Sequence, residues 1–164
     1  MLAFFDTSIH IDVLRGTRGL ADVLDAIGSP PVRLSPVVAS ELLRGVSGRG
    51  ARSVLRLVRG LVPLEPPSWR NCWIETGRLL PRVFPHHEAI GLARLQNDLL
   101  LALTARHTGT IFVTSDPHFS ALRRHVPFAL KILAAPARLE SQSRGTQSAS
   151  KRPNRPRASR IRLS

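Results

Sequence analysis

The chain has 164 residues, about one domain's worth, and a formal net charge of +13. A single cysteine, Cys72, excludes an internal disulfide framework and a Cys-rich zinc site, and no apolar run approaches the ~20 residues of a membrane span. With 43% hydrophobic residues the chain can bury a normal core, so the composition describes a soluble, basic protein, expected in the reducing cytoplasm.

Met1–Phe5 is a short apolar run with no basic residue before it, so no signal peptide is expected. It stops at Asp6-Thr7-Ser8, and Ile9, Ile11, Val13 and Leu14 follow. This reads as a buried strand, a helix cap and a helix. A second helix is predicted near Leu20–Ile27, ending at Gly28-Ser29-Pro30-Pro31. Val32–Ser35 reads as a short strand, and Pro36 suits the first turn of a helix over Val37–Val46. Ala51–Arg59 follows as a helix, and Leu61–Leu64 as a short strand that Pro63 confines to an edge. Ser68–Leu80 is a helix carrying Trp69, Cys72 and Trp73, which read as core or dimer contacts. Pro81, Pro85 and His86-His87 read as a loop. Adjacent histidines beside Glu88 suit a transition metal, but on a Pro-bounded loop they read better as exposed polar residues.

Glu88–His107 is helical in two pieces, and its Leu99–Leu103 run is apolar all round, which belongs in an interior. Ile111–Val113 is a buried strand, Thr114–Pro117 a turn, Phe119–Arg124 a short helix and Ala129–Leu133 a last strand. Short apolar strands alternating with helices predict an α/β domain with a mostly parallel sheet. After Pro136 the composition changes to Arg, Ser and Pro, with seven cations and no acid from Ser141 onward. We therefore expect a domain over 1–137 and a disordered basic tail over 138–164, because such a segment cannot bury enough apolar surface to order itself.

Acids are scarce before the tail, and four stand in unexpected places. Asp6 and Asp116 each follow a predicted strand, where sites form in open parallel sheets. Glu41 has Val37, Val38 and Gly45 as its helical neighbours, and Asp98 opens the apolar run Leu99–Leu103. Each has an ordinary explanation: Asp6, Asp98 and Asp116 as helix caps, and Glu41 paired with Arg44. Caps need no common location, whereas four converging acids need cations among them.

At these positions the chain resembles the PIN domain, in particular the compact VapC-like toxin ribonucleases of bacterial toxin–antitoxin pairs. The matching segments are Phe5-Asp6-Thr7-Ser8, Ser40-Glu41-Leu42-Leu43-Arg44-Gly45, Asn97-Asp98-Leu99-Leu100-Leu101-Ala102 and Val113-Thr114-Ser115-Asp116-Pro117-His118-Phe119. They cover residues 1–135 in order, with 35, 57 and 18 residues between successive acids. Two departures are visible. Val37 and Val38 stand where the family often has Thr or Ser, and His10 where it usually has an aliphatic residue.

The resemblance implies a three-layer α/β/α fold and a metal-dependent endoribonuclease cutting tRNA or ribosomal RNA loops to leave a 5′ phosphate and a 3′ hydroxyl. It implies that Asp6, Glu41, Asp98 and Asp116 hold one or two Mg²⁺ or Mn²⁺ ions. Hard cations prefer carboxylate oxygens, and such an ion activates water for in-line attack on phosphorus. Thr114, and after it Ser8, are candidates to orient the acids or a ligating water. Arg44 and Arg94, one turn from Glu41 and Asp98, are candidates for phosphate contacts. His118 is a further candidate to touch substrate, though it reads better as a surface residue. The expected partners are RNA, a cognate antitoxin and a second copy in a homodimer, with no membrane. The alternatives are a PIN-type nuclease of RNA processing or repair and a non-catalytic RNA-binding module. A response-regulator receiver also places acids at strand ends, but it needs an adjacent acidic pair and a strand-end Lys that Lys131 does not supply.

Overall fold

The strands are short, and the two central ones, Ala3–Phe5 and Ile111–Thr114, are the buried ones. The computed structural model describes residues 1–86 and 91–136. In it β1 (Ala3–Phe5), β2 (Val32–Arg33), β3 (Ile111–Thr114) and β4 (Leu130–Ile132) form one sheet in the order β2-β1-β3-β4. Every pairing is parallel, which obliges each connection to cross over. Leu61–Leu64 makes only a bridge: Leu34 N donates to Val62 O at 3.1 Å and Leu64 N to Leu34 O at 2.9 Å. Pro63 lacks the N–H that a continued ladder requires.

Strand side chains alternate between faces, and this builds two cores. Phe4 and Phe112 point one way, their ring centroids 4.8 Å apart. They pack among Val38, Leu42, Leu99 and Phe119. Ala3, Phe5 and Val113 point the other way, onto Ile9 and Val23. The helices on the first face include α3 (Pro36–Arg44), α5 (Trp69–Val83), α6 (Leu92–Thr108) and α7 (His118–Leu122). On the second face lie α1 (Thr7–Leu14) and α2 (Leu20–Asp25). The expected three layers are therefore present, and α4 (Ala51–Gly60) reaches the first core through Val54.

Local chemistry explains the helix ends. Ser35 caps α3 by accepting from Val37 N at 3.3 Å, and Pro36 takes the first helical position. Gly109 closes α6 at φ 65°, a left-handed conformation that glycine adopts without penalty. The apolar run Leu99–Leu103 is buried throughout. An exposed clamp ties α5 to α6, with Glu75 reaching Arg106 Nη1 and His107 Nε2, both at 2.9 Å.

One boundary differs from expectation. Helix α5 runs through Pro81 to Val83 rather than stopping before it. The carbonyl that Pro81 leaves without a helical donor belongs to Gly77, which is exposed and open to water. Of the helix expected over Glu88–His107, the described part is α6, Leu92–Thr108; its expected start at Glu88 lies outside the described residues. His87, Glu88 and the basic tail over 138–164 lie outside the described residues. Among the described residues, no helix is long and apolar enough to cross a membrane.

Candidate functional site

Strands β1 and β3 are parallel neighbours with Phe5 opposite Val113, so the residues that follow them emerge at one sheet edge. Asp6 N donates to Val113 O at 2.8 Å, which fixes the start of α1 against β3. The Asp6 carboxylate is well supplied with donors. Its Oδ1 accepts from Thr7 N at 2.7 Å, and its Oδ2 accepts from Ser8 Oγ and Thr114 Oγ1, each at 2.8 Å. Thr114 Oγ1 also accepts from Asp116 N at 3.0 Å, so one hydroxyl links the two strand-end acids. Asp116 in turn accepts from His118 N at 2.8 Å and meets Arg94 Nη2 at 3.4 Å.

The other two acids come from helices. Glu41, in α3, accepts from Thr7 Oγ1 and from Asn97 Nδ2, the latter at 2.6 Å. Asp98 lies inside α6, one turn after Arg94. Its Oδ2 is buried and has no hydrogen-bond partner among the described residues. All four acids line one open crevice of about 450 Å³, together with Ser8, Arg94 and Phe119.

The carboxylates feel both burial and one another. Burial pushes the Asp98 acid up to about 7; the Arg94 charge opposes this, and the charges of Asp6, Asp116 and Glu41 reinforce it. Burial also raises Asp6, against the donors Ser8, Thr114 and Thr7, with Glu41 adding to the rise. Negative charge is thus concentrated in one crevice of a strongly basic protein.

A divalent cation fits this arrangement. Leaving a buried carboxylate oxygen unpartnered is unfavourable, and a cation beside Asp98 Oδ2 would remove that penalty and the mutual repulsion together. Among the described residues, no three His, Cys, Asp or Glu side chains form a ready-made cage. The protein's own donors hold Asp6, Glu41 and Asp116 around the crevice. That suits an ion such as Mg²⁺, which keeps several waters and binds through one or two carboxylates.

The structure places the expected residues unevenly. Asp6, Ser8, Glu41, Arg94, Asp98 and Asp116 line the crevice, and Thr114 bonds to two of its acids. Arg44 does not line it; its side chain lines a neighbouring groove with Trp69 and Trp73. Asp6 does cap α1, so cap and crevice are not exclusive roles. Asp98 is no cap, and Glu41 takes Thr7 and Asn97 rather than Arg44. His118 is half-buried and stacks on Phe84 at 5.4 Å.

Three residues were not singled out by the sequence. Thr7 and Asn97 hold Glu41, and their signal was adjacency to Asp6 and Asp98. The third is Arg18, nearly buried in the α1–α2 connection. It pairs with Asp12 at 3.5 Å and donates through Nη2 to Ser115 Oγ at 3.1 Å and Ala134 O at 2.7 Å.

Comparison with known proteins agrees with this architecture. The fold matches a chain of VapBC2 from Rickettsia felis, solved bound to a DNA fragment from its promoter, with a TM-score of 0.59 at 20% identity, covering 81% of this chain and 99% of that one. It also matches a chain of VapBC-1 from nontypeable Haemophilus influenzae, with a TM-score of 0.56 at 18% identity, covering 80% and 98%. DNA-bound VapBC from Salmonella typhimurium gives 0.56 at 19% identity, again covering 80% and 98%. No curated protein sequence matches the chain. The model of the PIN domain matches residues 3–125, most of the chain. On that match, and with the parallel sheet and its edge of strand-end acids, the chain belongs to the PIN domain family.

Proposed function

We propose that this chain is a divalent-metal-dependent endoribonuclease, acting as the toxin of a toxin–antitoxin pair. The observation that carries the reading is Asp98: a buried carboxylate oxygen without a partner among the described residues, in a crevice shared with three further acids. Family membership supports nuclease chemistry, and the likeness of fold to chains from VapBC structures supports the toxin assignment.

In this reading Asp6, Glu41, Asp98 and Asp116 hold Mg²⁺ or Mn²⁺. The ion supplies Lewis-acid polarisation of the phosphoryl group and a nucleophile at neutral pH. The chain's residues do the rest. Thr114 and Ser8 hold the Asp6 carboxylate with both donors on Oδ2. Thr7 and Asn97 hold Glu41. Arg94 offers its guanidinium to a phosphate at the crevice mouth, with Arg44 one groove further out. The tail over 138–164 adds a net charge of +7 as a tether to polyanions, while residues 1–137 carry the chemistry. The substrate is RNA in exposed tRNA or ribosomal RNA loops, the setting is the cytoplasm, and the partners are a cognate antitoxin and a second copy of the chain.

The test is incubation of the purified protein with total RNA, in Mg²⁺ or in EDTA, with mapping of the ends produced. EDTA-sensitive cuts bearing 5′ phosphates are expected from the wild type and none from Asp98→Asn. Equal cutting by that variant, or no EDTA-sensitive cut at all, overturns the proposal.

A further inference from the structure

The aromatic residues of this chain are sorted by position. All six Phe are buried, whereas both Trp lie on α5 outside the core. Trp69 is half-buried against it and Trp73 is 50% exposed. Together they line a groove of about 350 Å³ between α3, α5 and α6, with Ser40, Arg44, Gln96 and Asn97.

This groove shares a wall with the acid crevice. Ser40 precedes Glu41 on α3, and Asn97 precedes Asp98 on α6. Asn97 lines the groove while its amide donates to Glu41 Oε1 at 2.6 Å. A chain lying across that wall would have one residue in the groove and the next in the crevice. Indole faces stack on any base, side-chain amides bond to base edges, and an arginine meets the phosphate between them. The side chains of Arg44 and Gln96 make no hydrogen bond or ion pair with other described residues, so both are available to a ligand.

We propose that the Trp69–Trp73 groove binds an unpaired RNA base next to the phosphate held at the acid crevice, with Trp73 as the stacking platform. This rests on the nuclease reading and adds to it a base subsite that accounts for a preference for unpaired RNA, because a paired base is already stacked and cannot enter. A second copy of this chain is the competing occupant, since Ile74 on α5 and Leu43 on α3 are also exposed. The positive charge, the free amide and guanidinium, and the shared wall favour RNA.

The protein carries its own reporter. It has two Trp and no Tyr, so its long-wavelength emission comes from this groove alone. The full-length protein is titrated in EDTA with a 12-nucleotide single-stranded RNA and with a duplex of equal length. The single strand should quench the emission and the duplex should not. Trp73→Ala should weaken single-strand binding about tenfold, and Trp73→Phe should restore most of it. An emission unchanged by RNA, equal quenching by the duplex, or unchanged affinity in Trp73→Ala overturns the proposal. So does a Trp73→Ala variant that turns a dimer into monomers by sedimentation, which would assign the groove to a second copy. Binding in EDTA requires no cleavage, so failure of the nuclease reading and failure of this one are read separately.

Discussion

The acid crevice and the apolar pocket behind α1 each hold a buried polar atom with no partner among the described residues, and they resolve it in opposite ways. In the crevice the atom is Asp98 Oδ2, and in the pocket it is His10 Nε2. The pocket, about 470 Å³, is lined by Phe5, Val13, Leu20 and Leu24 beside His10. Burial drives both groups toward their neutral forms, Asp98 up to about 7 and His10 down to about 4. The difference is the company. His10 is only 4% exposed and has no charged group lining its pocket, so it rests as a neutral imidazole. Asp98 has three more carboxylates around it, and neutrality would leave those unanswered. Burial alone marks a packing compromise, and burial among like charges marks a place for a cation.

The largest expected effect breaks the crevice side of this contrast. Asp98→Asn should lower Mg²⁺-dependent RNA cleavage by ~10³-fold or more, since a catalytic ion contributes several kcal/mol and each 1.36 kcal/mol is tenfold. The same variant should lose stabilisation by metal. At 100 times its dissociation constant Mn²⁺ should stabilise the wild type by about 2.7 kcal/mol, read as a rise in Tm, and should leave Asp98→Asn unmoved. His10→Leu should keep both responses. If Mn²⁺ stabilises Asp98→Asn as it does the wild type, the ion is bound elsewhere.

The next effect concerns pH, and the two regions should pull in opposite directions. His10 is lowered to about 4 from 6.5, so the unfolded chain binds the extra proton between those values. Its contribution is complete above about pH 6.5 and is lost as pH falls toward 4, a change of about 3 kcal/mol. Asp98 has the reverse sign: its folded value lies above its unfolded one, so its penalty grows as pH rises toward 7. In EDTA the two slopes oppose each other in the wild type. Denaturant unfolding from pH 4 to 7 should show stability rising with pH more steeply in Asp98→Asn than in the wild type. In His10→Leu it should rise less or fall. Matching profiles in all three proteins would remove the contrast.

Arg18 ties α1 to the crevice wall, which makes it the third test. Its guanidinium reaches Asp12 on α1, Ser115 in the crevice wall and Ala134 O beyond β4. Arg18→Ala removes charge-assisted bonds from a nearly buried site and leaves Asp12 without its partner. Destabilisation of about 2 kcal/mol is expected, or a fall in Tm of roughly 5–10 °C. If Arg18 also positions Ser115, cleavage by the folded variant should fall below wild type at saturating Mg²⁺. An unchanged kcat with lowered Tm would confine Arg18 to stability.

How far the sequence reveals each region follows from the physics that builds it. An acid straight after an apolar strand, as at Asp6 and Asp116, declares itself because strands expose their carboxyl ends. Glu41 and Asp98 declare themselves because a charge interrupts an otherwise apolar helix face. Thr7 and Asn97 do not, because a hydroxyl or amide suits surface and interior alike, and only the fold brings them to Glu41. Arg18 is still less legible, since two of its partners lie 97 and 116 residues away. Pro81 misleads for a related reason: a proline reads as a helix stop, yet the exposed Gly77 carbonyl lets α5 continue. The chain order of the elements and the apolar Leu99–Leu103 helix were readable because burial leaves a continuous apolar trace.

The smallest effect is at Arg94, and it separates electrostatics from stability within the crevice itself. Arg94 is 71% exposed and meets Asp116 at 3.4 Å, so the pair is well solvated and contributes little to folding. Arg94→Gln should change stability by no more than about 0.5 kcal/mol. Its charge nevertheless opposes the rise at Asp98, so its loss should push that acid higher still. Metal affinity should therefore shift in pH dependence, with Mn²⁺ binding weakened near neutral pH, where Asp98 holds its proton longer. If Arg94 meets a phosphate, the slope of log affinity for RNA against log salt should fall by about one in the variant. A salt slope equal to wild type, alongside a shifted metal profile, would restrict Arg94 to tuning the acids. An unshifted metal profile with a reduced slope would restrict it to the RNA.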